Sequence, residues 1–309
     1  MLGGSAPKVS VITATYNRKA YLPRLRESLL EQSFADFEWV IVDDGSSDGT
    51  DELIDGWQKD SPFLIRYFWQ PNGGRHMAFN RGVEEARGTY CAVIDSDDWY
   101  PPEALARMIQ QWESMSAEQR EQFANVEGLT ANPDGEPAVS GRPLPQHVLD
   151  SDNFSIVAKY RVRGDKMGMY RTAVLREFPF PSVAGEYVTE DVVFLQVAER
   201  YSSRFVDEVW GFKEYLPSGI TKKVKTDPRS FAFGFRLSNK TLISLKRRKP
   251  MPTLLKGYAN FTRYSFHDGV HVGTQLSEVP SALLWFAMLP VGFGLYVRDF
   301  ARTNLRRRR

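Results

Sequence analysis

Four runs rich in β-branched and aromatic residues, each followed by an amphipathic stretch, constrain the fold of this chain more than any other feature. Lys8–Ala14 (KVSVITA), Phe37–Val42 (FEWVIV), Leu64–Trp69 (LIRYFW) and Thr89–Ile94 (TYCAVI) read as strands. Between them, Ala20–Gln32 places Leu22, Leu25 and Leu29 on one helical face. Thr50–Gln58 reads as a short helix burying Leu53, Ile54 and Trp57. Met77–Arg87 reads as a third helix, with Gly88 as its left-handed cap. Pro101 and Pro102 open a fourth, where proline is tolerated in the first turn. Strand and helix in alternation predict an α/β fold with a mostly parallel sheet and right-handed crossovers. Ligands of such sheets bind beyond the carboxyl ends of the strands.

Polar residues gather at those ends. Thr13, Thr15, Tyr16 and Asn17 follow the first strand, Asp43 and Asp44 the second, and Asp95, Asp97 and Asp98 the fourth. A single aspartate there is an ordinary turn former or helix cap. Three clusters on one rim repel each other and need a compensating cation or ligand donors. The Asp95-Ser96-Asp97 spacing points two carboxylates to one side of an extended chain, a geometry suited to one hard divalent ion. Such ions take much of their shell from phosphates, so a diphosphate is the natural partner. The chain has no P-loop and no G-x-G-x-x-G, which sets aside a Walker-type ATPase and a typical dinucleotide oxidoreductase.

Beyond Ala131 the pattern loosens. Asn132–Pro145 reads as a loop or hairpin, Thr189–Asp191 start a helix reaching about Tyr201, and Arg204–Val209 is a further strand. The lone Cys91 excludes an intrachain disulfide and a cysteine metal cage. Met1–Pro7 lacks the apolar core of a secretory signal. Charge is split along the chain. From Phe235 onward there are 14 Lys/Arg against 3 Asp/Glu, net +11; before it, 26 against 35, net −9, together the overall +2. An acidic body with a basic tail predicts that the tail meets something anionic.

Taken in order, VSVITATYNR, VDDGSSDGT, QPNGGRHMAFNRG, GTYCAVIDSDDWYPPEAL, GDKMGMYRTAVL and VTEDVVFLQVAERY resemble the family 2 glycosyltransferases of GT-A fold, over roughly residues 8–222. The resemblance implies a GT-A-like domain over 1–229 and a basic helical extension over 230–309. It implies transfer of one sugar, with inversion, from a UDP- or dTDP-linked donor to a cell-surface glycan or lipid-linked acceptor, aided by Mg²⁺ or Mn²⁺. Ala14 and Tyr16 then stand at the uracil-facing turn, and Asp44 accepts the base N3–H with Asp43 as its neighbour. Asp97 is the metal ligand, and Asp95 lies nearer the ribose and shares the DxD motif. Asp98 either serves the metal's surroundings or caps the next turn. Arg75 is read as a phosphate contact or as a solvated loop arginine, beside His76. Glu190 and Asp191 match the family's ED motif, whose acid is the general base on the acceptor hydroxyl; Asp191 is placed first. The other reading is that both acids only favour a helix N-terminus. Trp99 either stacks on an acceptor sugar or packs internally, and Lys222 or Lys223 either closes over the diphosphate or stays solvated.

The QxxRW motif of processive synthases is missing, since Gly211 follows Trp210, and this implies addition of single sugars. Two rivals stand beside this reading: a sugar-nucleotidyltransferase, which wants a glycine-rich loop where TATYNRKAY has none, and an inactive nucleotide-sugar-binding module. Val279–Val297 carries no charge and approaches the roughly 20 residues that span a bilayer, though Pro290, Gly292 and Gly294 interrupt it. With Arg298, Arg302 and Arg306–Arg309 following, and Lys246–Lys249 nearby, it predicts a cytoplasmic enzyme held peripherally on the anionic inner face of a membrane, without nucleic acid as a partner. A buried core helix is the alternative.

Overall fold

The computed structural model describes residues 6–136, 138–214 and 227–307. The chain forms two compact units, Met1–Gly185 with Arg200–Glu214, and Glu186–Glu199 with Tyr215–Arg309. In the first, the strands are β1 (Val9–Thr15), β2 (Phe37–Asp43), β3 (Leu64–Trp69), β4 (Tyr90–Val93), β5 (Phe123–Ala131), β6 (Val139–Gly141), β7 (Val148–Ser151), β8 (Val162–Gly164), β9 (Lys166–Arg171) and β10 (Ser202–Phe212). Eight of them build one sheet in the order β3-β2-β1-β4-β9-β5-β10-β7, and β6 pairs with β8 in a small second sheet. The β3-β2-β1-β4 block is parallel throughout, and β5 is parallel to β10; β9 and β7 run antiparallel to their neighbours. The expected α/β fold with a mostly parallel sheet is what forms.

Register decides which residues meet at the rim. Thr15 lies opposite Asp43, and Asp43 opposite Trp69, so β1, β2 and β3 end level. Ile12 lies opposite Val93, which by the same register brings Ala14 level with Asp95. β1 and β2 are buried along nearly their whole length, as expected for strands covered by helices on both faces. Helix α1 (Leu22–Leu30) buries Leu22, Leu25 and Leu29 as its spacing requires, and α2 (Thr50–Asp60) buries Ile54 while Leu53 and Trp57 pack against the same core. Helices α3 (Arg75–Glu85), α4 (Ala104–Glu113) and α5 (Ala117–Gln122) follow, α5 closed by a Ser116/Gln119 capping box. The core centres on Trp39, Ile41, Leu105, Met108, Trp112 and Trp210. Residues 132–136 make a tight turn, with the Ala138 N–H donating to the Thr130 carbonyl, in keeping with the expected hairpin.

Gly88 does not cap a helix. α3 ends at Glu85 with Ala86 already extended, and Gly88 is absent from the residues of positive φ. A Cβ on Gly88 would stand 2.5 Å from the Ser10 nitrogen and 2.7 Å from the Val9 carbonyl carbon, so the glycine is required by close backbone approach to β1. Short helices α6 (Ser155–Ala158) and α7 (Thr172–Glu177) complete this unit.

The second unit is helical. It holds α8 (Asp191–Arg200) through Glu199, then α9 (Ala232–Ser244), α10 (Met251–His267), α11 (Val272–Glu278) and α12 (Ala282–Arg307). Its core is Ile243, Tyr258, Phe261 and Trp285. The alternative of a buried core helix over 279–297 is not what forms: α12 buries Trp285 but leaves Leu283 and Phe286 exposed. His267 and His271 do not share a helix, because Gly269, at φ +69°, ends α10 between them.

Candidate functional site

Two turns at the end of β2 are held together by the paired acids. Asp43 accepts the Ser46 N–H at 2.7 Å and the Tyr67 hydroxyl at 2.7 Å, both within the protein. Asp44 takes the Gln70 amide at 2.8 Å and the backbone N–H groups of Gly73 and Gly74 at 3.0 and 2.7 Å. Those two N–H groups belong to the N-terminal end of α3, where the helix's partial positive charge favours an anion. Gly74 precedes α3 at φ +99° and Gly45 sits at φ +90°, conformations that glycine adopts without steric cost. Asp44 is 3% exposed and thereby fixes the Gly73-Gly74 turn that aims Arg75. The Asp44 backbone N–H in turn donates to the Thr15 carbonyl, tying this turn to β1. Asn17, at φ +50°, accepts the Ser47 N–H through its side chain, and its own N–H donates to the Ser46 hydroxyl. Tyr16 beside it is about half exposed.

The acids after β4 are met by cations from four directions. The Arg75 guanidinium donates to Asp95 Oδ1 from Nε at 2.8 Å and Nη2 at 2.6 Å. Arg18 Nη1 donates to Asp97 Oδ2 at 3.0 Å, and Arg24 Nη2 donates to the Asp97 carbonyl at 2.7 Å. Lys213 Nζ, just past β10, lies 3.3 Å from Asp98 Oδ2, 3.5 Å from Asp165 Oδ2 and 3.8 Å from Asp95 Oδ2. Desolvation works against ionisation of Asp95, but Arg75, Lys213 and Arg18 outweigh it and hold its carboxyl at about 2. Asp98 goes the other way. Its burial pushes the carboxyl up to about 8 against the pull of Lys213, with Asp95 and Asp97 adding to the rise. The Asp98 carboxyl faces Lys213, and its backbone N–H closes the turn onto the Asp95 carbonyl.

Arg18, Arg24 and Lys213 are absent from the set read out of the sequence. Arg75 opens α3 rather than lying in a loop, and its exposed side chain is bound to Asp95. Ala14, Arg75 and Asp95 come together around a small recess with Ile12, Phe79 and Ile94. Trp99 is partly buried: Phe212 stacks on it at 5.4 Å between ring centres, and the Arg24 guanidinium lies 3.9 Å from its ring centre. His76 is buried, with Nε2 3.0 Å from the Val183 carbonyl oxygen.

The donor set fits a hard cation of limited protein coordination. Among the described residues no three His, Cys, Asp or Glu side chains cluster to hold an ion. The protein can offer Asp97 and Asp95, all-oxygen donors, with the rest of the shell left to phosphate and water. Arg18 and Arg75 already hold one oxygen of each.

In the second unit, Glu190 and Asp191 stand at the start of α8, and the Glu190 carbonyl accepts the N–H groups of Val193 and Phe194. Ser238 of α9 donates its hydroxyl to Asp191 Oδ2 at 3.5 Å, a long contact. Loss of solvation, and then the neighbouring Glu190, raise the Asp191 carboxyl above its ordinary value. α9 approaches the chain before α8 closely. A Cβ on Gly234 would lie 2.0 Å from the Tyr187 carbonyl oxygen, and Tyr187 packs edge-on against Phe231 at 5.0 Å. Tyr215, Lys222 and Lys223 lie outside the described residues.

Residues 10–118 match the model for Glycosyl transferase family 2. An uncharacterised glycosyltransferase of Nostoc sp. is 41% identical over 103 residues, 33% of this chain and 32% of that protein. TuaG of Bacillus subtilis, named for teichuronic acid biosynthesis, is 36% identical over 104 residues, 34% of this chain and 41% of its own length. The chain thus spans well under half of either relative. Among solved structures, S. aureus TarS 1-349 superposes with a TM-score of 0.59 at 20% identity, covering 95% of this chain and 89% of that one. The mannosyltransferase PcManGT of Pyrobaculum calidifontis, in complex with GDP-Man and Mn²⁺, superposes at 0.54 with 15% identity, covering 96% and 88%. The fold is GT-A-like.

Proposed function

We propose that this chain is a glycosyltransferase that moves a single sugar, with inversion, from a UDP- or dTDP-linked donor to a cell-surface glycan or lipid-linked acceptor. The observation that carries this reading is the convergence of Asp44, Arg75, Asp95 and Asp97 at the carboxyl edge of one parallel sheet, inside the segment that matches the family. TarS has been crystallised with UDP-GlcNAc and PcManGT with GDP-Man and Mn²⁺, which favours a nucleotide-sugar donor. In this reading Ala14 and Tyr16 flank the base and Asp44 accepts its N3–H. Arg75 exchanges part of its hold on Asp95 for the diphosphate. Asp97, with Asp95, holds Mg²⁺ or Mn²⁺, which when bound offsets charge on the departing diphosphate.

The transfer itself breaks the bond from the anomeric carbon to the diphosphate oxygen, which leaves with the electron pair. A bond forms from the acceptor oxygen to the opposite face of that carbon, and the acceptor's proton passes to the Asp191 carboxylate, with Glu190 beside it. A raised Asp191 carboxyl is the stronger base for that role. The reading is tested by a thermal-shift screen of nucleotide sugars with Mn²⁺, followed by transfer to candidate acceptors. Stabilisation by one class of nucleotide sugar supports it. Pyrophosphate release from a nucleoside triphosphate and a sugar phosphate would replace it with the nucleotidyltransferase.

A further inference from the structure

Helix α12 has two unlike faces. The inner face is fixed to α10. Trp285 is fully buried, and a Cβ on Gly292 would lie 2.6 Å from Thr262 Cβ and 2.7 Å from the Ala259 carbonyl oxygen. Near its far end, Asp299 pairs with Arg263 at 2.5 Å and lies 3.1 Å from His267 Nε2. The outer face carries Leu283, Phe286, Pro290 and Val297, with Phe293 and Phe300 at its edge, where their rings also meet Phe266 and His267 of α10 at 5.3 and 5.6 Å; the six are spaced by alternating steps of three and four residues, which trace one stripe along a helix. Leu283 is 79% exposed and Phe286 56%, and the other four are exposed as well. A contiguous apolar stripe of this length is an interaction surface rather than ordinary surface variation.

Charge selects the partner. Residues 279–297 carry no charge, and arginines follow at 298, 302 and 306–309. The one acid of that stretch, Asp299, is turned to the inner face. Of the basic run Lys246–Lys249, the Arg247 guanidinium donates to the Ala198 carbonyl, and Lys249 to the Ile243 and Leu245 carbonyls, which leaves the arginines at 298–309 as the basic cluster nearest to the stripe in the sequence. An apolar stripe followed in the sequence by a cluster of arginines complements an anionic lipid leaflet, with hydrocarbon taking the stripe and phosphate headgroups attracting the positive charge. A second copy laid along the stripe in parallel would set two arginine clusters side by side. Spanning the bilayer would strip Trp285 and Asp299 of their buried partners.

We propose that the outer face of α12 lies in the plane of an anionic membrane surface, embedding Leu283, Phe286, Phe293, Val297 and Phe300 at the level of the headgroups. This goes beyond the transferase reading and does not depend on it, because no residue of the nucleotide site takes part. The test is flotation of the full chain with vesicles of phosphatidylcholine alone and of phosphatidylcholine with phosphatidylglycerol. The chain should float with the phosphatidylglycerol vesicles and be released by high salt. Leu283→Ser with Phe286→Ser and Val297→Ser should abolish flotation while the far-ultraviolet circular dichroism and UDP binding stay unchanged. Replacing Arg306, Arg307, Arg308 and Arg309 by serine should weaken partition by roughly fivefold per arginine at low salt. Wild-type protein that ignores both vesicles, or a triple variant that floats like wild type, overturns the proposal. So does a wild-type dimer that the triple variant makes monomeric, which would assign the stripe to a second copy, or binding that resists carbonate, which would mean insertion.

Discussion

Replacing Asp44 tests whether the nucleotide-facing turn is built as described. Asp44→Ala removes an acceptor that serves Gln70 Nε2 and the N–H groups of Gly73 and Gly74 at 2.7–3.0 Å. A hydrogen bond to a charged group contributes about 1.5–3 kcal/mol, and a buried donor left unpaired costs about 1–3 kcal/mol. Gly73 is buried while Gly74 and Gln70 retain partial access to water, so only part of that sum is lost. The favourable placement of a carboxylate at the α3 N-terminus adds about 0.3–1 kcal/mol. A loss of about 3 kcal/mol follows. For a unit of this size that is a fall in melting temperature of roughly 6–12 °C. Asp44→Asn keeps one acceptor oxygen and the side-chain volume, and should cost about half as much. Scanning calorimetry with a calorimetric titration of UDP on each variant reads both consequences: Asp44→Asn should fold nearly normally yet bind UDP more weakly. If Asp44→Ala melts within a degree or two of wild type, the carboxylate does not hold the Gly73-Gly74 turn.

Asp191→Asn should leave UDP affinity unchanged and lower acceptor-dependent turnover by roughly 10²–10⁴-fold; survival of turnover in this variant, with its loss in Glu190→Gln, would exchange the two roles. Because the Asp191 carboxyl is raised, wild-type turnover should fall as pH drops through a value above the ordinary carboxylate range, where the base becomes protonated; an acid limb at an ordinary carboxylate value would contradict this. Gly234→Ala places a methyl group against the Tyr187 carbonyl and should destabilise the helical unit by about 1–3 kcal/mol, seen in its urea unfolding curve; no shift would mean that α9 is free to move away. Cys91 is fully buried and its thiol is pushed up to about 12 by burial, so it should ignore a thiol reagent in the native state and react on unfolding.

The β3-β2-β1-β4 half of the sheet was legible in the sequence because its strands are local, VSVITA and FEWVIV being apolar runs ended by the acids and turn residues that mark the rim, whereas β5, β7 and β9 were not read as strands. The acids themselves were legible for the same reason, each following a strand directly. Their cations were not. Arg18 and Arg24 look like ordinary residues of a loop and a helix, and Lys213 reaches Asp98 only after the chain has passed through β5, β9 and β10. A cluster of buried carboxylates demands positive charge somewhere, but spacing cannot say which distant residue provides it. Gly88 was misread on the same principle: a glycine after a helix suggests a left-handed cap, whereas its necessity comes from the backbone of β1 pressing against it. In α12, composition showed an apolar helix but not its burial; the split between an inner face on α10 and an outer stripe depends on tertiary packing.

We propose that the acids after β2 and β4 form a nucleoside-diphosphate site served by a divalent ion. Calorimetric titration of UDP and dTDP with Mn²⁺, repeated in EDTA and with Asp97→Asn, tests it most directly. Binding should be one-to-one with Mn²⁺ and weaken strongly in EDTA and in the variant. Binding that is equal in EDTA and unaffected by Asp97→Asn, or no binding of any nucleoside diphosphate, would contradict it.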